Sequence, residues 1–218
     1  MSTETAMAAY YAERAQEYER VYEKPERREQ LVELKRLVRD AFAGRHVLEP
    51  ACGTGYWTAV AAQTAARVTA FDVNESVLAI ARGKGLDPRR VEFLLGDAYE
   101  PPPLTERFDA ALVAFWWSHV PRTRVGDFLK RLHALLERRA VVLCLDNTFV
   151  PGDSTPVTRV DDDGNTFQTR RLENGHEFEV LKNYPTEEEL RSAVSAVAER
   201  VEINWLQHYW AMNYRLRA

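Results

Sequence analysis

Three acids in the first half of the chain stand at turns that border apolar runs. Glu49 precedes Pro50-Ala51-Cys52-Gly53-Thr54-Gly55, Asp72 closes Val68-Thr69-Ala70-Phe71, and Asp97 sits in Gly96-Asp97-Ala98. Carboxylates at the ends of buried strands accept hydrogen bonds from hydroxyls and amines, which is the chemistry of nucleoside recognition. The glycine turn adds donors. Where a strand turns into a helix, free backbone N–H groups and a positive dipole end meet at one point. Glycine there takes dihedrals that other residues resist and lets a ligand lie against the backbone. His119 follows the apolar run of residues 108 to 115. Its imidazole can orient a substrate or take its proton near neutral pH, or it can simply shape the loop before Val120-Pro121.

These stretches resemble the motifs of the class I S-adenosylmethionine-dependent methyltransferases, small-molecule branch. Glu49 matches the acid of motif I, Gly53 and Gly55 its last two glycines, and Ala51 stands where many members have the first. The resemblance implies S-adenosylmethionine as cofactor and a set of contacts to it. Glu49, Ala51, Gly53, Gly55 and Trp57 come from motif I and its helix, and Asp72 with Val73 lies at the ribose. Asp97 and Ala98 lie at the adenine, and Phe115 closes the fourth strand. Tyr10 to Glu19 is similar to the segment that such enzymes place before motif I and fold over the cofactor, which adds Tyr11 and Tyr18. The resemblance runs from about Tyr10 to Ala218. The Asn/Asp-Pro-Pro-Tyr box of enzymes acting on planar amines is absent, and large aromatics occupy its place. Trp116 and Trp117, with Tyr22 and Tyr184, suggest an apolar or aromatic acceptor pocket. Three rivals stay open: a nicotinamide oxidoreductase, a protein or nucleic-acid methyltransferase, and a non-catalytic binder of the cofactor. Asp72 suits NAD equally, but a third glycine is missing near Thr58 and Glu49 would repel a pyrophosphate.

Several elements must hold these residues. Residues 5 to 23 read as one helix with Met7, Tyr11, Ala15, Tyr18 and Tyr22 on an inner face and Arg14, Glu17 and Glu19 on the outer one. It is either a packed helix or a lid. A second helix spans residues 26 to 42, ending at Gly44. Strands are expected near 47–48, 67–72, 91–95, 108–115 and 140–145, with helices at 56–66, 75–82 and 125–138 between them. Residues 151 to 183 break that rhythm with three short strands joined by Asp163-Gly164 and Asn174-Gly175. Thr186 and Glu189 form a capping box. Residues 201 to 216 close the sheet as a hairpin or as one long strand. The expected fold is α/β, a doubly wound, mostly parallel seven-stranded sheet with helices on both faces. An N-terminal helical lid and a small antiparallel β insert after strand five complete it. All of 1–218 reads as a single domain: lid 1–44, cofactor core 45–150, insert 151–183, and closing helix and strands 184–218.

The chain's 218 residues, 45% hydrophobic and 28% charged with net charge -4, allow one full core and argue against a nucleic-acid face. Cys52 and Cys144 fall in or beside buried runs, and no signal or membrane-spanning stretch is evident, so a cytoplasmic monomer or homodimer is expected. His46, His119, His133, His176 and His208 show no metal-ligand spacing. The expected chemistry is in-line displacement at a sulfonium methyl, by an oxygen, nitrogen or carbon of a small metabolite.

Overall fold

The computed structural model describes residues 3–15 and 17–218. The chain opens with α1 (Thr3–Arg14), a 3-10 turn (Tyr18–Tyr22) and α2 (Arg28–Phe42), and then enters the sheet at β1 (His46–Pro50). Helix α3 (Tyr56–Ala61) leads to β2 (Arg67–Asp72), α4 (Glu75–Gly83) to β3 (Val91–Leu95), and β4 (Phe108–Ala114) through α5 (Val125–Ala134) to β5 (Leu136–Asn147). The insert follows as β6 (Arg159–Val160), β7 (Thr166–Arg171) and β8 (Glu177–Leu181). Helix α6 (Glu187–Val194), β9 (Ala198–Trp205) and β10 (Tyr209–Leu216) end the chain.

The seven-stranded sheet runs β3-β2-β1-β4-β5-β10-β9, with β6-β7-β8 as a separate antiparallel sheet. The first five strands are parallel, and β10 is antiparallel to both β5 and β9. Strand order reverses between β1 and β4, and side chains beyond the carboxyl ends of those strands meet in one crevice. Alternation along each strand feeds two cores. Val47, Leu112 and Leu145 face α2 and α3 with Val38, Phe42 and Trp57, whereas Leu48, Val113 and Cys144 face α5 with Phe128 and Leu132. No helix among the described residues is long and apolar enough to cross a membrane.

Three elements differ from the sequence expectation, and the structure decides between the two forms left open for a fourth. The N-terminal helix stops at Arg14 instead of running to residue 23. In a continuous helix Tyr11 and Tyr18 would stand about 10 Å apart along the axis, but their ring centroids are 5.7 Å apart. The break gathers the tyrosines over one point. Helix α3 ends at Ala61, short of residue 66. Helix α5 ends at Ala134, because Leu136 pairs with Phe108 in the sheet, with Arg139 at φ 63 where the register shifts. The closing segment is a hairpin without glycine. Leu206 N–H donates to the Tyr209 carbonyl at 2.8 Å, and the Gln30 side chain takes the His208 N–H at 2.9 Å. Contacts from other elements replace the turn signal that the sequence lacks. The capping box at Thr186 and the positive φ of Gly164 and Gly175 follow the expectation.

The turn after β1 carries three left-handed residues, Ala51 at φ 50, Gly53 at φ 55 and Gly55 at φ 73. Ala51 accepts this conformation at a cost that glycine would not bear. Ala51→Gly is therefore expected to stabilise the protein by about 0.5–1 kcal/mol, the relief of strain outweighing the added freedom of the unfolded chain. Gly55→Ala should do the opposite. Its Cβ would lie 2.9 Å from the Ala81 Cβ, and strain with crowding should cost about 1–3 kcal/mol. Urea unfolding of both variants checks the pair.

Candidate active site

Two cavities meet above the switch point of the sheet. The first, about 410 Å³, lies over the carboxyl ends of β1 to β4 and is floored by the glycine turn. Asp72 fixes that floor. Its Oδ2 accepts from Gly53 N–H and its Oδ1 from Asn74 N–H, each at 2.9 Å. Burial pushes the Asp72 carboxyl up to about 6 against the pull of these bonds, and the Asp97 charge adds to the rise. Glu49 is buried below the turn and accepts from Thr58 Oγ1 at 2.6 Å. Burial raises it to about 8, so it carries a proton at neutral pH. Asp97 accepts from Tyr99 N–H at 2.7 Å, which turns its carboxylate toward the same cleft. Acids at the ends of β2 and β3 with an open backbone floor at Gly53 fit a nucleoside carrying a cationic group.

The second cavity, about 350 Å³, lies between the N-terminal segment, the insert and the ends of β4 and β5. Its walls are charged. Arg14 Nη1 donates to Tyr10 Oη at 2.8 Å, and its guanidinium lies 5.5 Å from the Tyr18 ring centroid. Arg170 Nη2 donates to Gln168 Oε1 at 2.8 Å. Among the described residues neither guanidinium has a carboxylate partner. Lys182 differs. Its Nζ donates to Asp146 Oδ1 at 2.9 Å, Ser118 Oγ at 2.7 Å and Asn147 Oδ1 at 3.0 Å, which uses all three of its protons.

Tyr11, Tyr18, Tyr22, Phe115 and His119 border both cavities and form the seam between them. Phe115 sits there at φ 57, directly after β4. His119 Nδ1 lies 2.7 Å from the Leu181 carbonyl, and its Nε2 lies 2.7 Å from Tyr11 Oη. A carbonyl only accepts, so Nδ1 carries the proton and Nε2 receives the Tyr11 hydroxyl proton. Burial lowers the imidazole to about 3, with the Lys182 charge next in weight, and His119 is neutral across the physiological range. Glu19 ties the segment carrying Tyr18 and Tyr22 to the glycine turn. It accepts from Thr54 Oγ1 at 2.6 Å and from Lys84 Nζ at 2.7 Å.

The first cavity gathers Tyr11, Tyr18, Glu49, Ala51, Gly53, Trp57, Asp72, Val73, Asp97, Ala98 and Phe115 from the expected cofactor set. Gly55 does not line it. That residue gives the close approach of the turn to α4 instead. Of the expected acceptor residues, Tyr22 borders both cavities, Tyr184 lines the charged one and Trp116 the first. Trp117 lines neither and packs on Trp210 at 6.0 Å between ring centroids. The second cavity thus combines charged side chains with the aromatic ones. Arg14 and Glu19, read as outward, point inward because the helix breaks between them. Arg170, Lys182, Gln168 and Asp146 were not singled out. Arg170 and Gln168 alternate on β7, a two-residue period the sequence does carry, but nothing in it says which face meets the cavity.

A family model described as a methyltransferase domain matches residues 47–139. The chain is 30% identical over 119 residues to a demethylmenaquinone methyltransferase of Staphylococcus aureus (strain MRSA252), covering 52% of this chain and 48% of the relative. It spans about half the length of the curated relatives it matches. Among solved structures it is similar to a DhpI-SAM-HEP complex, at 28% identity over 99% of both chains with a TM-score of 0.80. It shares its fold with the 1,6-didemethyltoxoflavin-N1-methyltransferase of Burkholderia thailandensis, solved with 1,6-didemethyltoxoflavin and S-adenosylhomocysteine. That likeness is 18% identical, covers 98% of this chain and 88% of the other, and has a TM-score of 0.63.

The two raised acids give a measurable linkage. Their folded-state values lie above the ordinary ones, so without ligand their contribution to stability is present at low pH. It falls as pH rises through about 4 to 6 for Asp72 and about 4.5 to 8 for Glu49. A cation near Glu49 and donors on Asp72 favour the ionised forms. Binding of S-adenosylmethionine at pH 7 is expected to release a substantial fraction of one proton. Calorimetry in two buffers of different ionisation enthalpy reads this directly.

Proposed function

We propose that this chain is a class I S-adenosylmethionine-dependent methyltransferase, as its likeness to the methyltransferase-domain model and to the DhpI-SAM-HEP complex supports, and that it methylates a small anionic metabolite held in the charged cavity. S-adenosylmethionine supplies an activated methyl on a sulfonium; the protein's residues place that methyl and its acceptor on either side of one seam. Asp72, Asp97 and the turn at Gly53 hold the cofactor side. Arg14 and Arg170 hold the acceptor side by a charged group. Tyr11, Tyr18, Tyr22 and Phe115 exclude water between them, and such positioning supplies roughly 7–11 kcal/mol of barrier reduction.

The observation that carries this reading is that Arg14 and Arg170, in a cavity that opens on the cofactor cleft, have no carboxylate partner among the described residues. Inward-facing cations that lack a counter-charge are costly unless an anionic ligand supplies it. An uncharged quinone or phenol offers no such complement. His119 enters as an orienting group. A neutral imidazole whose Nε2 is engaged and whose value is lowered to about 3 is a weak base. An acceptor that arrives already ionised, as a carboxylate or phosphate-like oxygen, requires no base.

Small carboxylates and phosphate-like anions assayed with radiolabelled cofactor should accept methyl, while uncharged quinones and phenols should not. Arg170→Met and Arg14→Met should each raise the acceptor KM by about 10–100-fold, the loss of a charge-assisted hydrogen bond, with cofactor affinity unchanged. Equal turnover of neutral and anionic acceptors would overturn the anionic class.

For His119, replacement by Gln should keep most of kcat and replacement by Ala should lower it by about tenfold or more. The wild-type kcat should show no imidazole limb between about pH 5 and 8. An acid limb near the ordinary histidine value would return His119 to the role of base.

A further inference from the structure

Lys182 faces the acceptor cavity, yet all three of its protons are already given to Asp146, Ser118 and Asn147. It is 4% exposed and Asp146 is 0% exposed, so the pair is a buried ion pair with a polar shell. Asp146 also accepts from Ser118 N–H at 2.9 Å and Asn147 N–H at 2.7 Å. A buried carboxylate with three donors and an ammonium with three acceptors gain little net stability over an apolar pair. The arrangement does fix geometry. It ties the end of β8 to the carboxyl end of β5 and to the turn that carries Ser118 and His119.

The residue before Lys182 is Leu181, whose carbonyl takes the His119 Nδ1 proton. Anchoring Lys182 therefore sets the position of the atom that decides the tautomer. Groups from every neighbouring element face the ring. They are the Tyr11 hydroxyl from α1, Asp146 from β5, Arg170 from β7, Lys182 with the Leu181 carbonyl from β8, and the Trp116 ring. Two of these are cations and one is an anion, so the local field opposes an imidazolium.

We propose that the Asp146–Lys182 pair is a positioning pair for His119. It holds the imidazole neutral and Nδ1-protonated, so that Nε2 fixes the Tyr11 hydroxyl at the seam between cofactor and acceptor. The significance for catalysis rests on the methyl-transfer reading above; the tautomer itself does not. Lys182 on this view is a pillar of the site and not an acceptor ligand, unlike Arg14 and Arg170. Removing its charge leaves Asp146 to attract a proton to His119, and Tyr11 loses its acceptor at low pH.

Nitrogen NMR of ¹⁵N-histidine-labelled protein, without substrate, tests this directly. Wild-type His119 should show a protonated Nδ1 and no titration between about pH 5 and 8. Lys182→Met should move its titration up by about one to three pH units. It should also lower kcat more at pH 6 than at pH 8 with cofactor affinity unchanged. Lys182→Met with Asp146→Asn removes both charges and should restore a ring that does not titrate in that range. Should Lys182→Met fail to fold, the wild-type spectrum and the double variant carry the test. A wild-type ring protonated at Nε2, one titrating near 6.5, or a Lys182→Met ring that titrates as in wild type overturns the proposal. The methyl-transfer reading fails separately, by absence of S-adenosylmethionine binding in calorimetry.

Discussion

The site depends on one backbone constraint, the left-handed passage from β1 into α3. Ala51, Gly53 and Gly55 reverse the chain within five residues, and Asp72 locks that reversal by accepting from Gly53 N–H. The lock comes from the neighbouring strand, so the turn takes its shape only when β1 and β2 are paired. Parallel pairing in turn needs the α3 crossover and the two cores that cover the sheet. Loss of the turn would take the Gly53 donor from the buried Asp72 and remove the floor of the cofactor cleft together.

The second constraint is electrostatic. A chain of net charge -4 places Arg14, Arg170 and Lys182 around one small cavity. Of these three, Lys182 alone has a carboxylate partner among the described residues. The uneven distribution separates the roles. Lys182 is paired with Asp146, whereas Arg14 and Arg170 bond to the neutral side chains of Tyr10 and Gln168. The aromatic seam stands between this cationic side and the acidic cofactor side. Tyr11 is the member whose polar atom is fixed, through His119 and the Leu181 carbonyl.

The N-terminal segment contributes to both sides at once. Glu19 links it to Thr54 of the cofactor turn, and Asp153, on the loop after β5, accepts from Lys24 at 3.4 Å and also pairs with Arg27. Individual ion pairs of this half-exposed kind contribute little to stability. Their effect is to align a short segment whose tyrosines face inward across both cavities.

The sequence by itself determined the parallel sheet, the glycine turn and the acids at the strand ends. These are local signals: apolar runs, turn residues and the strand-end carboxylates at family spacing. It also carried the insert hairpins, because Asp-Gly and Asn-Gly fix their own turns. Only the tertiary structure decided the character of the second cavity. Arg14 lies on a helix whose break the aromatic periodicity does not reveal, and Arg170 and Lys182 lie on an insert whose sheet is separate from the main one. Their convergence is set by how β7 and β8 pack against α1 and the ends of β4 and β5. That packing is a property of long-range contacts, so Trp117, a pocket residue by sequence position, lies in the core, and Arg170 lines the second cavity.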